Sequence, residues 1–356
     1  MNIQSVTAII PAYKPDEKLL HTLRGLLDAG FTDILVVDDG GGPDFAPIFE
    51  EVEALPGCTL LRHEVNRGKG AALKTAFAYF MENRPDKAGV VTADADGQHL
   101  AQDIAAVSEK MLETGHIVLG VRDFDDPKVP PRSRSGNKIT IGVFRLFFGM
   151  KISDTQTGLR AFPRSSLPGM AAAKGDRYEF ETQMLFLMSR NKIPFDEVKI
   201  ATVYLEDNRS SHFRVVRDSI RIYSLILNYL LSSIAAAVID ELAFFLLKSL
   251  SVLSLLPIPA TWTAAILARI VSSLANFFIN ARIVFGGRAG KRSLVRYYAL
   301  AVVQLTVSTA LVFLAEKAFA ITAPALSTLV KTLVDTILFF FSFRIQHKWV
   351  FNDKTM

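Results

Sequence analysis

The sequence has a single cysteine, Cys58, among 356 residues, so no internal disulfide can form and a reducing compartment fits. Its first seven residues lack the basic-then-apolar pattern of a secretory leader, which predicts that the first domain stays cytosolic. No GxxxxGK[ST] frame surrounds Lys69 in the run Asn66-Arg67-Gly68-Lys69-Gly70, so that glycine-rich segment is not a P-loop. No glycine-rich loop follows the first apolar stretch either. Residues 9–15 read Ile-Ile-Pro-Ala-Tyr-Lys-Pro, which argues against an enzyme that makes sugar nucleotides. The second half is poor in charge: beyond about residue 229 the chain consists of long apolar runs, whereas before about residue 203 charged and apolar stretches alternate.

What is present is 50% hydrophobic, too apolar for an ordinary pair of soluble domains. The net charge is +5, and the basic residues of the second half flank its apolar runs. That placement points to a membrane surface rather than to nucleic acid.

The first half alternates two periodicities. Short apolar runs at 6–11, 33–38, 59–62, 89–93 and 116–121 read as strands, and 18–29, 69–82 and 103–114 carry helical spacing. Such alternation predicts a mostly parallel sheet covered on both faces, with ligands at the carboxyl ends of its strands. The polar clusters fall at those ends: Pro11-Ala12-Tyr13, Asp38-Asp39, Asp94-Ala95-Asp96 and Arg122.

In the second half, 229–247, 262–278, 298–314 and 326–343 are apolar runs close to the length of about 20 residues that crosses a bilayer. Arg282, Arg288, Lys291, Arg292 and Arg296 lie between the second and third runs, and Arg344, His347 and Lys348 follow the fourth. By the positive-inside rule both termini face the cytosol. The segment 276–285 (NFFINARIVF) is similar to 342–351 (SFRIQHKWVF), which suggests a duplicated helical hairpin. Superposing the two places Arg269 on Asp335, so these charges are expected to pair across the bundle or to line a polar path; a local structural pair is the alternative. Between the halves, 213–227 sets Arg214, Arg217 and Arg221 on one side and Val216, Ile220 and Tyr223 on another, as an interfacial or core-facing helix would.

The chemistry centres on Asp94-Ala95-Asp96-Gly97-Gln98-His99. A strand ending in Asp-x-Asp gathers carboxylates and an amide oxygen, the ligands preferred by a hard divalent cation that clamps a diphosphate. On a membrane-anchored chain, that points to sugar transfer from a nucleotide to a lipid.

These residues resemble glycosyltransferase family two, specifically its polyprenyl-phosphate glycosyltransferases, of the dolichyl-phosphate mannose synthase and GtrB-like kind. The resemblance covers about residues 6–213. It rests on IIPAYKP (9–15), VVDDG (36–40), NRGKGAAL (66–73), DADGQH (94–99) and SDTQTGLRAF (153–162). The membrane half resembles the GtrA-like four-span proteins, some of them proposed to move lipid-linked sugars.

The resemblance implies a GT-A-type (Rossmann-like) α/β catalytic domain at 1–212 and an all-α four-helix transmembrane domain at 229–356, with the interfacial helix read from its own pattern between them at 213–228. It implies a metal site of Asp94, Asp96 and Gln98 holding Mg²⁺ or Mn²⁺. Pro11, Ala12, Tyr13, Asp38, Asp39 and Lys69 would bind the donor with Asp94 and Asp96. Asp96, Arg122 and Arg160 stand as catalytic candidates. Arg122, Arg132, Ser133, Arg134, Ser135, Arg209 and His212 are candidates for the acceptor phosphate. Glu179 and Glu181 either touch the sugar or cap a helix. The apolar segment 139–150 would dip into the membrane interface and set the basic cluster at headgroup depth. Expected partners are a GDP- or UDP-linked sugar, a polyprenyl phosphate and the membrane, with a homo-oligomer left open and no nucleic acid. Two other readings remain: a processive polysaccharide synthase, although its QxxRW motif is absent, and a lipid-linked sugar transporter or scaffold.

Overall fold

A computed structural model describes residues 2–126, 129, 131–201, 224–249, 260–285, 290–321 and 323–351. The chain divides into two units, Met1–Ile222 and Tyr223–Met356.

Among the described residues, the first unit is built on seven strands. These are β1 (Val6–Ala12), β2 (Ile34–Asp38), β3 (Cys58–Arg62), β4 (Gly89–Thr92), β5 (Ile117–Arg122), β6 (Arg160–Pro163) and β7 (Phe195–Ile200). Their order in the sheet is β3-β2-β1-β4-β6-β5-β7. Helices α1 (Glu17–Asp28), α2 (Ala46–Ala54), α3 (Lys69–Asn83), α4 (Ala101–Thr114), α5 (Pro131–Val143), α6 (Leu167–Ala171) and α7 (Glu179–Asn191) connect them. All seven residues of β1 are buried, as an apolar strand covered on both faces requires. Helix α1 buries Leu19, Leu20, Leu23 and Leu26 on one stripe, and the Asp16 carboxylate caps it by accepting from the Lys18 N–H at 3.0 Å.

The chain winds from β1 through β2 to β3, then returns to place β4 on the other side of β1. Crevices for ligands open at such a switch point, beyond the carboxyl ends of the strands. Tyr13 follows β1 there, and Asp94 follows β4. The sequence pattern did not reveal β6. It runs antiparallel between β4 and β5 and sets Arg160 opposite Thr92. The Thr92 hydroxyl donates to the Gly158 carbonyl at 2.8 Å, which fixes the loop before β6 beside the end of β4.

The segment 139–150 departs from the interfacial expectation. Phe144, Phe147 and Phe148 are buried, and Phe186 of α7 lies 5.2 Å from the Phe144 ring and 4.3 Å from that of Phe148. Burying each such ring contributes about 1.5–3 kcal/mol, so the core claims them. Ile139 and Leu146 stay exposed. The basic cluster before them is no loose loop; it opens α5.

The second unit holds α8 (Ser224–Lys248), α9 (Ala260–Ile279), α10 (Lys291–Ala318) and α11 (Pro324–Ile345). Each is long and apolar enough to cross a membrane. The two repeat segments share one geometry. Both α9 and α11 pass into a π-helical turn at the same place in the repeat, Asn280–Val284 and Gln346–Val350. The equivalent residues then meet. Asn280 Nδ2 donates to Gln346 Oε1 at 3.2 Å, and the Phe285 and Phe351 rings stack at 5.2 Å. Contact between equivalent positions is the mark of a two-fold arrangement.

The membrane charges pair differently from the expectation. Arg269 does not reach Asp335; its guanidinium meets Asp240 on the preceding helix at 3.0 Å. Asp335 pairs with Lys331 and accepts from the Ser308 hydroxyl at 2.5 Å. Each acid is neutralised within its own hairpin, which requires no match across the repeat. Of the interfacial helix expected at 213–228, residues 213–223 lie outside the described residues and 224–228 form the start of α8.

Candidate active site

The loop after β4 carries the paired carboxylates. Asp96 Oδ1 accepts from the Gln98 N–H at 3.0 Å, and Gly97 takes φ +76°, so the chain turns sharply between them. The Asp94 N–H donates to His99 Nδ1 at 3.1 Å, which draws the imidazole under the loop.

Asp94 is met by Lys69. The ammonium lies 2.5 Å from Asp94 Oδ1 and 2.9 Å from Glu181 Oε1, and the lysine side chain is only 17% exposed. Three segments far apart in sequence converge here: the first turn of α3, the end of β4 and the first turn of α7. Gly70 permits the approach of α3 to α7, because a Cβ at that position would sit 2.5 Å from Phe180 Cβ. Gly158 closes the cluster from the β6 side. A Cβ there would lie 2.7 Å from Asp94 Oδ2 and 2.9 Å from Lys69 Nζ.

Burial would by itself raise the Asp94 carboxyl, but Lys69, His99 and Arg122 outweigh it and hold the group at about 2. The Asp96 carboxyl moves the opposite way, raised by burial and by the neighbouring Asp94 charge. Burial also lowers His99 below its ordinary value, against the pull of Asp94 and Asp96.

Arg160 lies behind the site rather than in it. It is 1% exposed and donates to the carbonyls of Thr157 at 2.9 Å and Glu181 at 2.7 Å. A guanidinium so enclosed cannot touch a substrate. The catalytic expectation for Arg160 is therefore corrected to a positioning role, its buried charge standing near Glu181, Asp154 and Asp94. Arg122 comes with a partner: Nε meets Asp154 Oδ2 at 2.7 Å and Nη2 meets Oδ1 at 3.2 Å, a two-pronged pair. An acceptor phosphate would share Arg122 with that carboxylate.

At the ends of β1 and β2, Pro11 and Ala12 are buried, while Tyr13 and Asp38 are half-buried. Asp38 accepts from the Gly41 N–H at 2.8 Å. Asp39 has no acceptor site left for a ribose. Its Oδ1 takes His63 Nδ1 at 2.7 Å and the Arg67 N–H at 2.9 Å; its Oδ2 takes Asn66 Nδ2 at 3.1 Å and the Gly68 N–H at 2.7 Å. Asp39 instead fixes the loop that leads into Lys69.

On α5, Arg134 donates to the Asp126 carbonyl at 3.0 Å and Ser135 is exposed. The side chains of Arg132 and Ser133, and all of Arg209 and His212, lie outside what is described. Sequence reasoning missed Asp154 as the Arg122 partner, although it stands inside SDTQTGLRAF. Glu179, by contrast, accepts weakly from the N–H groups of Asp176 and Arg177 at 3.4 Å, at the start of α7.

No cage of three or more His, Cys, Asp or Glu side chains forms among the described residues. Two carboxylates and an amide still suit Mg²⁺ or Mn²⁺, hard ions that take few protein oxygens and complete their shell with water and substrate phosphate.

Residues 7–168 match the profile of glycosyl transferase family 2, and residues 226–354 that of the GtrA/DPMS transmembrane domain. A UDP-N-acetylglucosamine–dolichyl-phosphate N-acetylglucosaminyltransferase of Methanococcus voltae is 31% identical over 217 residues, spanning 56% of this chain and 85% of that protein. The chain belongs to glycosyltransferase family 2. An undecaprenyl-phosphate mannosyltransferase of Micrococcus luteus is 30% identical over 209 residues, 56% of this chain and 84% of the relative. An uncharacterized protein of Methanocaldococcus jannaschii is 29% identical over 232 residues, 64% of this chain and 93% of its own length. This family 2 glycosyltransferase is thus an enzyme whose GT-A-like domain is followed in the chain by a GtrA/DPMS membrane domain.

Proposed function

We propose that the enzyme transfers a single sugar from a GDP- or UDP-linked donor to a polyprenyl phosphate at the cytoplasmic membrane face, with inversion and with Mg²⁺ or Mn²⁺. The observation that carries this reading is the placement of Asp94 and Asp96 at the carboxyl end of β4, beside the switch point, in a chain with four candidate spans. Relatives named as dolichyl- and undecaprenyl-phosphate transferases support the acceptor class.

An oxygen of the lipid phosphate attacks the anomeric carbon. The bond from that carbon to the donor diphosphate breaks, and its electron pair leaves with the nucleoside diphosphate. A phosphate is already an anion at neutral pH, so the step needs positioning and desolvation rather than a general base. One displacement inverts the carbon. Asp94, Asp96 and Gln98 would hold the ion, which when bound neutralises charge developing on the departing diphosphate. Tyr13 and Asp38 are proposed for the donor side, with the buried Pro11 and Ala12 shaping the strand end beneath them. Arg134 and Ser135, with Arg132, Ser133, Arg209 and His212, are proposed for the acceptor, and Arg122 contributes through its shared pair. In this reading 1–212 performs the chemistry, 213–228 lies on the membrane, and 229–356 anchors the site with both termini in the cytosol.

The test is transfer of radiolabel into a lipid extract from a panel of sugar nucleotides. One donor is expected to yield a lipid bearing one sugar, and a chelator to stop it. Label in a growing polymer, or undiminished transfer with all divalent ions chelated, overturns the reading.

A further inference from the structure

Lys69 is an odd resident for its position. It is the first residue of α3, whose amino end already carries partial positive charge, so the helix gains nothing from an ammonium there. What holds it is the pair of carboxylates, Asp94 at 2.5 Å and Glu181 at 2.9 Å. The pocket is made for this contact: Gly70 lets α3 close on α7, and Gly158 leaves no room for a side chain above the Lys69–Asp94 pair.

A divalent ion on Asp94 must therefore face a positive charge already seated on the same carboxylate, at Oδ1. We propose that Lys69 is the built-in counter-cation of the Asp94 carboxylate, that it keeps the donor-free enzyme's affinity for a divalent ion low, and that Glu181 is the berth that retains its ammonium when the ion arrives. The proposal rests on the ion site of the preceding section and deepens it. Its consequence is that the ion is held firmly only when a diphosphate adds negative charge to balance both cations.

The probe is Mn²⁺ alone, added to the full-length enzyme in detergent, with free Mn²⁺ read by electron paramagnetic resonance. In Lys69→Met the Mn²⁺ dissociation constant is expected to fall by about tenfold, because a like charge within a few ångströms is removed. Lys69→Gln keeps a donor between the two carboxylates without the charge and is expected to tighten binding in the same direction, which keeps the test decisive where Lys69→Met folds poorly. Lys69→Arg keeps the charge and is expected to stay near the wild-type value. A merely structural lysine would give weaker binding in all three. Unchanged or weaker Mn²⁺ binding in folded Lys69→Met and Lys69→Gln overturns the proposal. Asp94→Asn separates the two levels of the argument. If it abolishes Mn²⁺ binding while the Lys69 variants change nothing, only the counter-cation role falls. If Asp94→Asn binds Mn²⁺ like wild type, the ion site itself is wrong and the proposal falls with it.

Discussion

The two units each seat a lysine against an aspartate, and they do so in opposite ways. In the catalytic unit Lys69, Asp94 and Glu181 come from three distant segments and meet at the carboxyl end of the sheet. In the membrane unit Lys331 meets Asp335 one turn along the same helix, and Arg269 meets Asp240 on the adjacent helix of its own hairpin. Convergence over long range constrains the fold and gathers charge at one place, which is what a site requires. Local pairing neutralises a charge that would be costly in a bilayer. The same pair of residue types thus arises from long-range convergence in one unit and from short-range spacing in the other.

The sharpest break of that contrast is at Asp96. Asp96→Asn is expected to reduce sugar transfer about a thousandfold, a loss of about 4 kcal/mol in transition-state stabilisation, with the fold retained. Near-normal turnover of the purified variant would remove the metal role from this loop.

Next comes Arg160, whose charge backs the convergent acids. Arg160→Met is expected to cost about 3 kcal/mol of stability, because it strips a buried cation from the neighbourhood of Asp154, Glu181 and Asp94. Thermal unfolding reads it; an unchanged melting temperature would mean that the guanidinium is not needed where it lies.

A smaller effect is expected from Gly158→Ala, whose new methyl group would press on Asp94 and Lys69. Turnover should drop about tenfold with little change in melting temperature. If stability falls and the rate per folded molecule does not, the close approach matters to packing alone.

The smallest effect tests the local side of the comparison. A double-mutant cycle between Arg269→Ala and Asp240→Ala should give a coupling of about 0.6 kcal/mol in detergent, with transfer intact. The cycle between Arg269→Ala and Asp335→Ala should give none. Coupling between the latter pair would restore a connection across the repeat.

Much of this was legible in the chain. Strands β1, β2, β4 and β5 stood out because buried strands read as unbroken apolar runs bounded by turn residues. The four membrane segments were legible for the same reason at greater length. Strand β6 was not, because four residues of Arg-Ala-Phe-Pro carry no period. Asp39 looked like a ligand because it ends a strand, yet its four acceptor sites are filled by residues 63–68, a saturation visible only when the loop is folded back on it. Phe144, Phe147 and Phe148 suggested a membrane surface until Phe186 was seen to cover two of them, since an apolar run does not say which apolar medium it enters.

The sequence by itself determined the two-part organisation, the strand ends that bear Asp94 and Asp96, and the duplicated NFFINARIVF-like segment. These follow from local composition, period and spacing, which act between near neighbours in the chain. Tertiary structure alone decided that Lys69 and Glu181 share Asp94's site, that Arg160 is enclosed behind it, that Arg122 comes bound to Asp154, and that Arg269 turns to Asp240. Each of these choices is a competition for one partner among groups far apart in sequence, and distance and burial in the folded chain settle it.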